Sequence, residues 1–374
     1  MAGTFGGGAC TLSVGNKVRC MDALLAEKSR VQFLVGTASL HQSNQIQLVE
    51  FDAANNEIGV KRIFSHDGEV RSLAPSPHDA ELLLTCGKTK GQPQEAKLWR
   101  MPSSDGEGEE QSDPVEANLA EVGAVPAQRA PVSQAVWNPG TEQGAAFATA
   151  HENLVRTWSL DNQAIEPQQK LEMDLSVVTS SIKALAWDPH SANYLSFALG
   201  SSIQTWDIRS KATAFTVEDA HMLTTLDIDY NPNKPYTMVS GGEDGKMKFW
   251  DLRHTNKALL VESAHTHWVW QTRYNRFHDQ LVLSSSSDST LALWRISSIS
   301  SAPIVELDEQ DLMSDTASAA DVADSKIKVY DEHEDSVYAV AWGASDSWVF
   351  ASVSYDGRLA VHQVPSTEKY KILL

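Results

Sequence analysis

Residues 265–294 read HTHWVWQTRYNRFHDQLVLSSSSDSTLALW, and the histidines, aspartates and tryptophans of this stretch decide the fold. Side chains of these types could bind a metal or form a catalytic cluster, or they could belong to a repeated structural unit. The two interpretations differ in one respect: a repeated unit would return elsewhere in the chain at the same spacing. Internal repeats therefore decide between the two interpretations, and a missed repeat would lead to the wrong fold.

The stretch is one copy of a repeat. Asp288 follows His265 by 23 residues and precedes Trp294 by 6. The same spacing recurs on both sides, with His221, Asp244 and Trp250 upstream and with His333 and Asp356 downstream. The histidine and the aspartate therefore mark a unit of about 40–45 residues.

Each unit contains short segments with a period of two, bounded by Gly, Asp, Ser and Pro, which is the pattern of β-strands. The clearest example is VYAVAW (337–342), VFASVS (349–354) and RLAVHQV (358–364), followed by a looser fourth strand. Four strands per unit of this length are typical of a β-propeller blade. The chain resembles the WD40 repeat family, and we predict an all-β, seven-bladed propeller with four antiparallel strands per blade.

We predict one propeller domain over 1–374, with the N-terminal segment as the first blade. Its four strands are predicted at 16–24, 31–39, 45–51 and 58–64, and KYKILL (369–374) is predicted to complete the last blade. The pattern leaves open which terminus closes the ring. Acidic loop insertions are predicted at about 103–125 and 308–325, and a flexible N-terminus at 1–11.

Composition excludes several classes of function. The formal net charge is −19, which disfavours direct binding to nucleic acid and to anionic lipid surfaces. No apolar run reaches 18 residues, so we expect no membrane insertion. Three cysteines without a C-x-x-C pair fit a reducing, cytoplasmic setting. Phosphate-loop, nucleophile-elbow and zinc-protease motifs are missing from the sequence, so we predict a non-enzymatic protein without a cofactor.

His265 and His267 are two residues apart and would share one face of a strand, as a zinc site requires. The repeat, however, explains His265 without a metal, since His221 and His333 lack such a companion. The resemblance to WD40 proteins implies that His265 donates to Asp288 and that Trp294 packs close by. We therefore interpret the repeated histidines, aspartates and tryptophans as structural.

The resemblance also implies that the third and fifth positions after each blade histidine face partners at one rim of the propeller. These positions carry Trp268 and Trp270 in one blade and Tyr338 in the next. Trp, Tyr and Arg dominate binding hot spots, because they bury a large area with little loss of entropy. The predicted partner-binding residues are Trp268, Trp270, Tyr338, Arg71, Lys183 and His267.

An alternative site is suggested by WDIRS (206–210) and WDLRH (250–254). A WD-x-Arg sequence resembles the element by which some WD40 proteins dock to the adaptor of a cullin-4 ubiquitin ligase. Arg209 and Arg253 would then make that contact. Arginine at this position is also common in ordinary WD40 repeats, where it caps the blade edge.

The last third of the chain carries a more specific resemblance. HWVW (267–270), HDQLVL (278–283), EHEDSVYAV (332–340) and SYDGRLAV (354–361) resemble the family of WD40 proteins that interact with the EARP and GARP tethering complexes. This resemblance implies a non-enzymatic adaptor that binds tether subunits in endosomal recycling and endosome-to-Golgi retrograde transport. Such a protein would be cytoplasmic, peripheral to the trans-Golgi network and endosomes, and a monomeric propeller within a larger complex.

Overall fold

Seven sheets of antiparallel strands form a β-propeller in the computed structural model of the chain, with four antiparallel strands per blade, and the described residues add one short helix. The predicted fold class is confirmed. The structure describes residues 3–5, 9–40, 42–88, 94–103, 114–125, 131–140, 146–160, 167–174, 180–302 and 324–373. Within these residues, no helix is long and apolar enough to cross a membrane.

The first two blades lie where the strand pattern places them. Blade 1 consists of β3 (Val18–Ala23), β4 (Val31–Thr37), β5 (Asn44–Asp52) and β6 (Glu57–His66). Blade 2 consists of β7 (Glu69–Pro75), β8 (Leu82–Lys88), β9 (Glu95–Arg100) and β11 (Ala120–Val125). A short strand, β10 (Val115–Ala117), adds to the outer edge of blade 1 by pairing in parallel with β6.

Blades 3 to 6 follow in chain order, and each is a four-stranded sheet. Blade 3 holds β12 (Val132–Trp137), β13 (Ala146–His151), β14 (Leu154–Leu160) and β15 (Pro167–Asp174). Blade 4 holds β16 (Ile182–Trp187), β17 (Tyr194–Leu199), β18 (Ser202–Asp207) and β19 (Ala212–Val217). Blade 5 holds β20 (Thr225–Tyr230), β21 (Thr237–Gly242), β22 (Met247–Asp251) and β23 (Leu260–Glu262). Blade 6 holds β24 (Val269–Tyr274), β25 (Leu281–Ser286), β26 (Leu291–Arg295) and β27 (Ser325–Tyr330).

The N-terminus closes the ring. Blade 7 contains β28 (Val337–Trp342), β29 (Val349–Ser354) and β30 (Arg358–Gln363), and its outer strand is β2 (Ala9–Ser13), which pairs antiparallel with β30. A further strand, β1 (Gly3–Phe5), pairs with β2. The innermost strands of neighbouring blades contact each other around the full circle, from β3 through β7, β12, β16, β20, β24 and β28 back to β3.

Two predictions about the termini are corrected by this arrangement. Residues 9–11 of the predicted flexible segment 1–11 lie in the closing strand, where Cys10 is buried. KYKILL (369–374) does not complete the last blade, because Ser366–Leu373 forms helix α1. Glu and Lys are strong helix formers, and the helix is anchored by Glu368, whose Oε2 lies 2.7 Å from Arg295 Nη1.

The first predicted acidic insertion, 103–125, is shorter than expected. Its C-terminal part forms β10 and β11, so those residues belong to blades 1 and 2. The acidic composition of the residues before 120 indicates a loop, whereas the small and apolar residues from 120 to 125 form a strand. The second predicted insertion, 308–325, lies outside the described residues except for Asp324 and Ser325.

In blades 3, 4 and 7, a tryptophan on the inner strand donates a hydrogen bond to the inner strand of the preceding blade. It stands nine positions after the place of the histidine mark. Trp137 Nε1 donates to Ala74 O in the neighbouring blade at 2.8 Å. Trp187 Nε1 donates to Val136 O at 3.2 Å, and Trp342 Nε1 to Arg273 O at 3.1 Å. Each indole is largely buried between two blades, so one side chain supplies both apolar area and a partner for a neighbouring backbone carbonyl.

Candidate partner-binding surface

Every blade has a β-bulge near the start of its innermost strand. In blade 6, for example, the pairing of β24 with β25 shifts between Val269 and Gln271, which leaves Trp270 unpaired. A bulge bends the strand and re-aims the unpaired side chain. The seven residues at this position are Arg19, Arg71, Ser133, Lys183, Leu226, Trp270 and Tyr338, and we call them the mouth ring.

One half of the mouth ring, in blades 5 to 7, is apolar and aromatic. The rings of Trp268 and Trp270 meet edge to face with centroids 5.6 Å apart, and Trp270 lies 5.0 Å from Tyr338. Trp270 Nε1 donates to Ser287 Oγ at 2.6 Å, which fixes the indole against the adjacent turn. Trp268 is 38% exposed, so its face is available to a partner.

The aromatic contacts continue across two further elements. Tyr338 meets Tyr355 with ring centroids 5.9 Å apart. Arg19 lies 4.5 Å above the Tyr338 ring, and Lys17 lies 4.2 Å from the Tyr355 ring centroid. Cations over aromatic faces stabilise such contacts by about 0.5–1 kcal/mol at exposed sites. We call the row of ring contacts from Trp268 to Tyr355 the aromatic ladder. It runs from blade 6 to blade 7, and the cations over its rings come from blade 1.

Two exposed apolar residues lie in the equivalent loop of blade 5. Met222 is 82% exposed and Leu223 54% exposed, and both directly follow His221. The neighbouring loop is close, because His265 N donates to Gly245 O of the blade 5 turn at 3.1 Å. These residues extend the apolar surface of blades 5 to 7. We call the face that carries these loops and turns the top face.

The other half of the mouth ring is cationic. Arg71 is exposed and pairs with Glu69 Oε2 at 3.0 Å. Lys183 is exposed, and Arg19 is half-buried against Tyr338. His267 is exposed beside the aromatic half, with its ring 5.2 Å from that of Trp268. The predicted rim residues therefore share the top face, but Arg71 and Lys183 do not join the tryptophans in one cluster, whereas Arg19 reaches them through Tyr338.

Below the mouth ring, the inner strands carry buried opposite charges. Arg273 Nη1 donates to Asp227, and Asp227 Oδ2 accepts from Thr272 N at 2.8 Å. Asp229 Oδ2 accepts from Tyr274 N at 2.8 Å, and burial raises the pKa of Asp229 to about 6 against the opposing effect of Arg273. These carboxylates bond with the neighbouring strand, so they join blades 5 and 6.

The repeated histidine sets are hydrogen-bonded within their blades. In blade 6, His265 Nδ1 lies 3.1 Å from Asp288 Oδ2 and His265 Nε2 lies 2.8 Å from Ser284 Oγ. Trp294 Nε1 donates to the same hydroxyl at 2.9 Å. A neutral His265 fits this order, because Ser284 receives from the indole, donates to Nε2, and leaves Nδ1–H for the carboxylate.

Blades 5 and 7 repeat the arrangement with one difference. Blade 5 uses His221, Asp244, Ser240 and Trp250, with His221 Nδ1 2.9 Å from Asp244 Oδ1. Blade 7 uses His333, Asp356 and Ser352, with His333 Nδ1 3.4 Å from Asp356 Oδ2. In blade 7 the position of the tryptophan is taken by His362, which is buried and stacks on Phe350.

Blades 2 and 3 contain partial versions of the set. His66 Nε2 lies 3.2 Å from Thr85 Oγ1, which also accepts from Trp99 Nε1. In blade 3 the histidine comes from the end of the second strand instead: His151 Nε2 lies 3.0 Å from Thr149 Oγ1. The spacing of the histidines could not reveal His151. This residue reaches the equivalent hydroxyl, that of Thr149, from a different position in the repeat.

Electrostatics agree with a structural role for these pairs. Burial would raise the pKa of Asp244, but hydrogen bonds from His221 and two backbone amides hold that pKa at about 2. Burial lowers the pKa of His221 despite the adjacent carboxylate. The pair is therefore an ionised acceptor beside a neutral donor at neutral pH.

A metal interpretation finds no support among the residues that the structure describes, since none of them form a group of three or more ligands able to hold an ion. His265 is engaged on both ring nitrogens, as described above. His278 is stacked on Trp348 with ring centroids 4.4 Å apart, in the turn at the opposite end of β24 from His265. His265 and His278 therefore do not belong to one site. His265 is bonded inside its blade, and His278 lies at the opposite end of β24.

The two arginines of the alternative interpretation lie in turns after the third strands of blades 4 and 5. Arg253 makes a two-point contact with its own Asp251, at 2.9 Å from Nε and 2.7 Å from Nη2, and its guanidinium lies 5.4 Å from the Tyr236 ring centroid. Arg209 is exposed, and its backbone amide donates to Asp207. Arg253 is thus held by its own blade.

Residues that the spacing did not reveal also belong to this surface: Lys17, Arg19, Tyr355, Met222 and Leu223. Blade 1 carries no histidine mark, so its mouth position could not be aligned from the sequence. The signal that would have found it is the bulge itself, with a buried valine (Val18) directly before the unpaired Arg19, as Val269 precedes Trp270.

The sequence of the chain matches two known protein families. A family model described as the EIPR1 beta-propeller matches residues 8–294, and a second, described as WD domain, G-beta repeat, matches residues 324–363. The chain belongs to the EIPR1 β-propeller family. The mouth ring of blades 1 to 5 and Trp270 of blade 6 lie inside the span of the first match.

Curated relatives in the EIPR1 β-propeller family cover nearly the whole chain. The EARP-interacting protein homolog of Danio rerio is 37% identical, and the match covers 96% of this chain and 97% of the relative. The EARP and GARP complex-interacting protein 1 of Homo sapiens is 35% identical over the same shares. The EARP-interacting protein 1 of Caenorhabditis elegans is 31% identical, covering 96% of both.

Proposed function

We propose that this protein is a non-enzymatic adaptor that binds the EARP and GARP tethering complexes through the aromatic half of its mouth ring and the adjacent Trp268. The names of its relatives state such an interaction for those proteins. The observation that carries the proposal for this chain is the exposed Trp268, held edge to face on Trp270. An exposed indole on a rigid platform is the usual centre of a protein-binding hot spot.

The chemistry of the surface favours binding over catalysis. The histidine–aspartate pairs hold turns inside the blades, with His265 bonded on both ring nitrogens. The ladder from Trp268 to Tyr355 instead offers rigid apolar faces that lose little side-chain entropy when a partner covers them.

The proposed cellular role follows from the proposed partners. We infer that the protein acts in endosomal recycling and endosome-to-Golgi retrograde transport, as a single propeller within a larger complex. It would be cytoplasmic and peripheral to endosomes and the trans-Golgi network through its tether, without inserting into the membrane or binding nucleic acid.

The test is capture of purified EARP and GARP complexes by the wild-type chain and by Trp268→Ala. The matched control is Phe277→Ala, since Phe277 is an equally apolar, 53% exposed aromatic residue in the turn at the far end of β24. We expect Trp268→Ala to reduce capture and Phe277→Ala to leave it unchanged. Equal capture by all three proteins would exclude the aromatic half as the binding site.

A further inference from the structure

We infer that the partner segment bound at the top face is an acidic one that also carries a bulky apolar side chain. Its carboxylates would contact Arg19 and Lys183 in the cationic half of the mouth ring, and its apolar side chain would pack on Trp268. This inference rests on the proposed function, because it specifies the chemistry of the tether segment that the same surface would recognise.

The first support is the location of the positive charge. Lys and Arg make up 30 of 374 residues, so seven positions drawn at random would contain fewer than one of them. The mouth ring contains three, namely Arg19, Arg71 and Lys183. In a chain of net charge −19, the two of these cations that have no ion pair among the described residues, Arg19 and Lys183, favour an anionic partner at this end of the inner strands.

The second support is the state of these cations. Among the described residues, no carboxylate lies within ion-pair distance of Arg19, Lys17 or Lys183, whereas Arg71 is paired with Glu69. Arg19 stacks on Tyr338, which orients its planar guanidinium before a partner arrives. A pre-oriented guanidinium matches the two oxygens of a carboxylate and loses less entropy on binding than a free side chain.

The third support is the continuity between the two halves. Arg19 lies over the ring of Tyr338, and Tyr338 contacts Trp270 with its ring tilted by 41°, so a cation and the indoles belong to one ladder. One extended segment can therefore contact both halves. Below the mouth, the carboxylates of Asp22, Asp227 and Asp229 already surround the guanidinium of Arg273, so the acidic residues of the partner would stay at the mouth.

The test compares Arg19→Gln/Lys183→Gln with a matched control, Arg30→Gln/Lys257→Gln, in which an exposed Arg and Lys outside the mouth ring are changed in the same way. The Kd of purified EARP complex is measured at low and at high NaCl. We expect the ring variant to bind about three- to tenfold more weakly at low salt, with a smaller difference at high salt, and the control to match the wild type.

Three outcomes separate this inference from the proposed function. If Trp268→Ala abolishes binding while the ring variant binds as well as the wild type, the partner segment is not acidic and the inference is overturned, although the adaptor function stands. If Trp268→Ala also binds as the wild type does, the aromatic half is not the binding site and the inference falls with it. If the wild type itself does not bind purified EARP or GARP complex, the proposed function fails.

A second measurement identifies the segment directly. Overlapping synthetic peptides covering the EARP subunits are titrated against the intact propeller. Binding by peptides that combine Asp or Glu with Trp, Phe or Leu, and loss of binding when their acidic residues are replaced by amides, would support the inference. Binding confined to basic peptides, or equal binding by a single-stranded oligonucleotide, would overturn it.

Discussion

The guanidinium of Arg19 lies 4.5 Å above the ring of Tyr338, which joins the first blade to the seventh on the top face. The same two blades share a hydrophobic core, to which the closing strand contributes Cys10 and Leu12. Separation of blade 1 from blade 7 would therefore also remove Arg19 and Lys17 from the rings of Tyr338 and Tyr355. The contacts between the aromatic rings themselves lie within blades 6 and 7.

Deletion of residues 1–13 should strongly destabilise the propeller, because β2 supplies four cross-strand residue pairs to β30. Loss of their backbone hydrogen bonds is expected to cost about 2–4 kcal/mol of unfolding free energy. Urea denaturation gives this value. Deletion of residues 1–8 is the control, since it removes β1, which pairs only with β2, and should cost far less. Equal stability of the two deletions would contradict the closure.

Asp288→Ala should lower the unfolding free energy by about 2–4 kcal/mol. The carboxylate accepts from the backbone amides of Thr266 and Thr290 and from the ring of His265, so its loss leaves several donors unpaired. Thermal or urea unfolding measures the effect, with the exposed Asp331→Ala as the control. An unchanged midpoint for Asp288→Ala would show that the hydrogen-bonded set does not stabilise the blade.

The architecture was predictable because its signal is periodic. The spacing between His265 and Asp288 recurs in two other blades, and the strands of the first blade fall within a few residues of their predicted positions. The closure was not predictable, since strand β2 and KYKILL (369–374) are both short and both could complete blade 7 by their composition. Pairing with a distant strand decided the first, and local helix formation decided the second.

The candidate surface was only partly predictable. Trp268, Trp270 and Tyr338 follow a histidine mark, so the repeat aligns them. Arg19 follows no such mark, and its place in the mouth ring becomes visible only through the bulge between Val18 and Cys20. The contact of Arg19 with Tyr338 also joins residues at opposite ends of the chain, which no local pattern records.

His362→Phe should flatten the dependence of stability on pH. Burial, together with the nearby positive charges of His333 and Lys328, lowers the pKa of His362 from 6.5 to about 3. The unfolded chain therefore binds this proton at a higher pH than the folded chain. The stability that the neutral ring contributes is present above pH 6.5 and is lost as the pH falls towards 3, by up to about 1.4 kcal/mol per pH unit.

The measurement is urea denaturation of the wild type and of His362→Phe at several pH values between 3 and 7. The raised pKa of Asp229 acts with the opposite sign, because protonation favours its folded state, but both proteins share that effect. The difference between the two proteins thus isolates His362. A difference that stays constant over this range would show that His362 does not titrate as its burial requires.

Arg209→Ala/Arg253→Ala should leave the unfolding free energy close to that of the wild type, because the ion pair of Arg253 with Asp251 is open to solvent. The variant should also retain the proteins that co-purify with the wild type. Affinity purification with mass spectrometry checks this. Specific loss of a cullin-4 ligase adaptor from the variant would instead support the alternative interpretation of the two arginines.

The two tryptophans should differ in what they contribute to stability. Trp270 is packed between Trp268 and Tyr338 and donates to Ser287, so Trp270→Ala is expected to cost about 2–3 kcal/mol of unfolding free energy. Trp268 is 38% exposed and its ring contacts are those of His267 and Trp270, so Trp268→Ala should cost less than about 1 kcal/mol. Urea denaturation of both variants gives the comparison. Trp270→Phe keeps one aromatic ring in the ladder and removes the hydrogen bond, which is worth about 1 kcal/mol, together with part of the packed area, so it should cost less than Trp270→Ala. If Trp268→Ala proved as destabilising as Trp270→Ala, Trp268 would be a packing residue, and weaker capture of a tether by that variant would no longer show that its indole touches the partner.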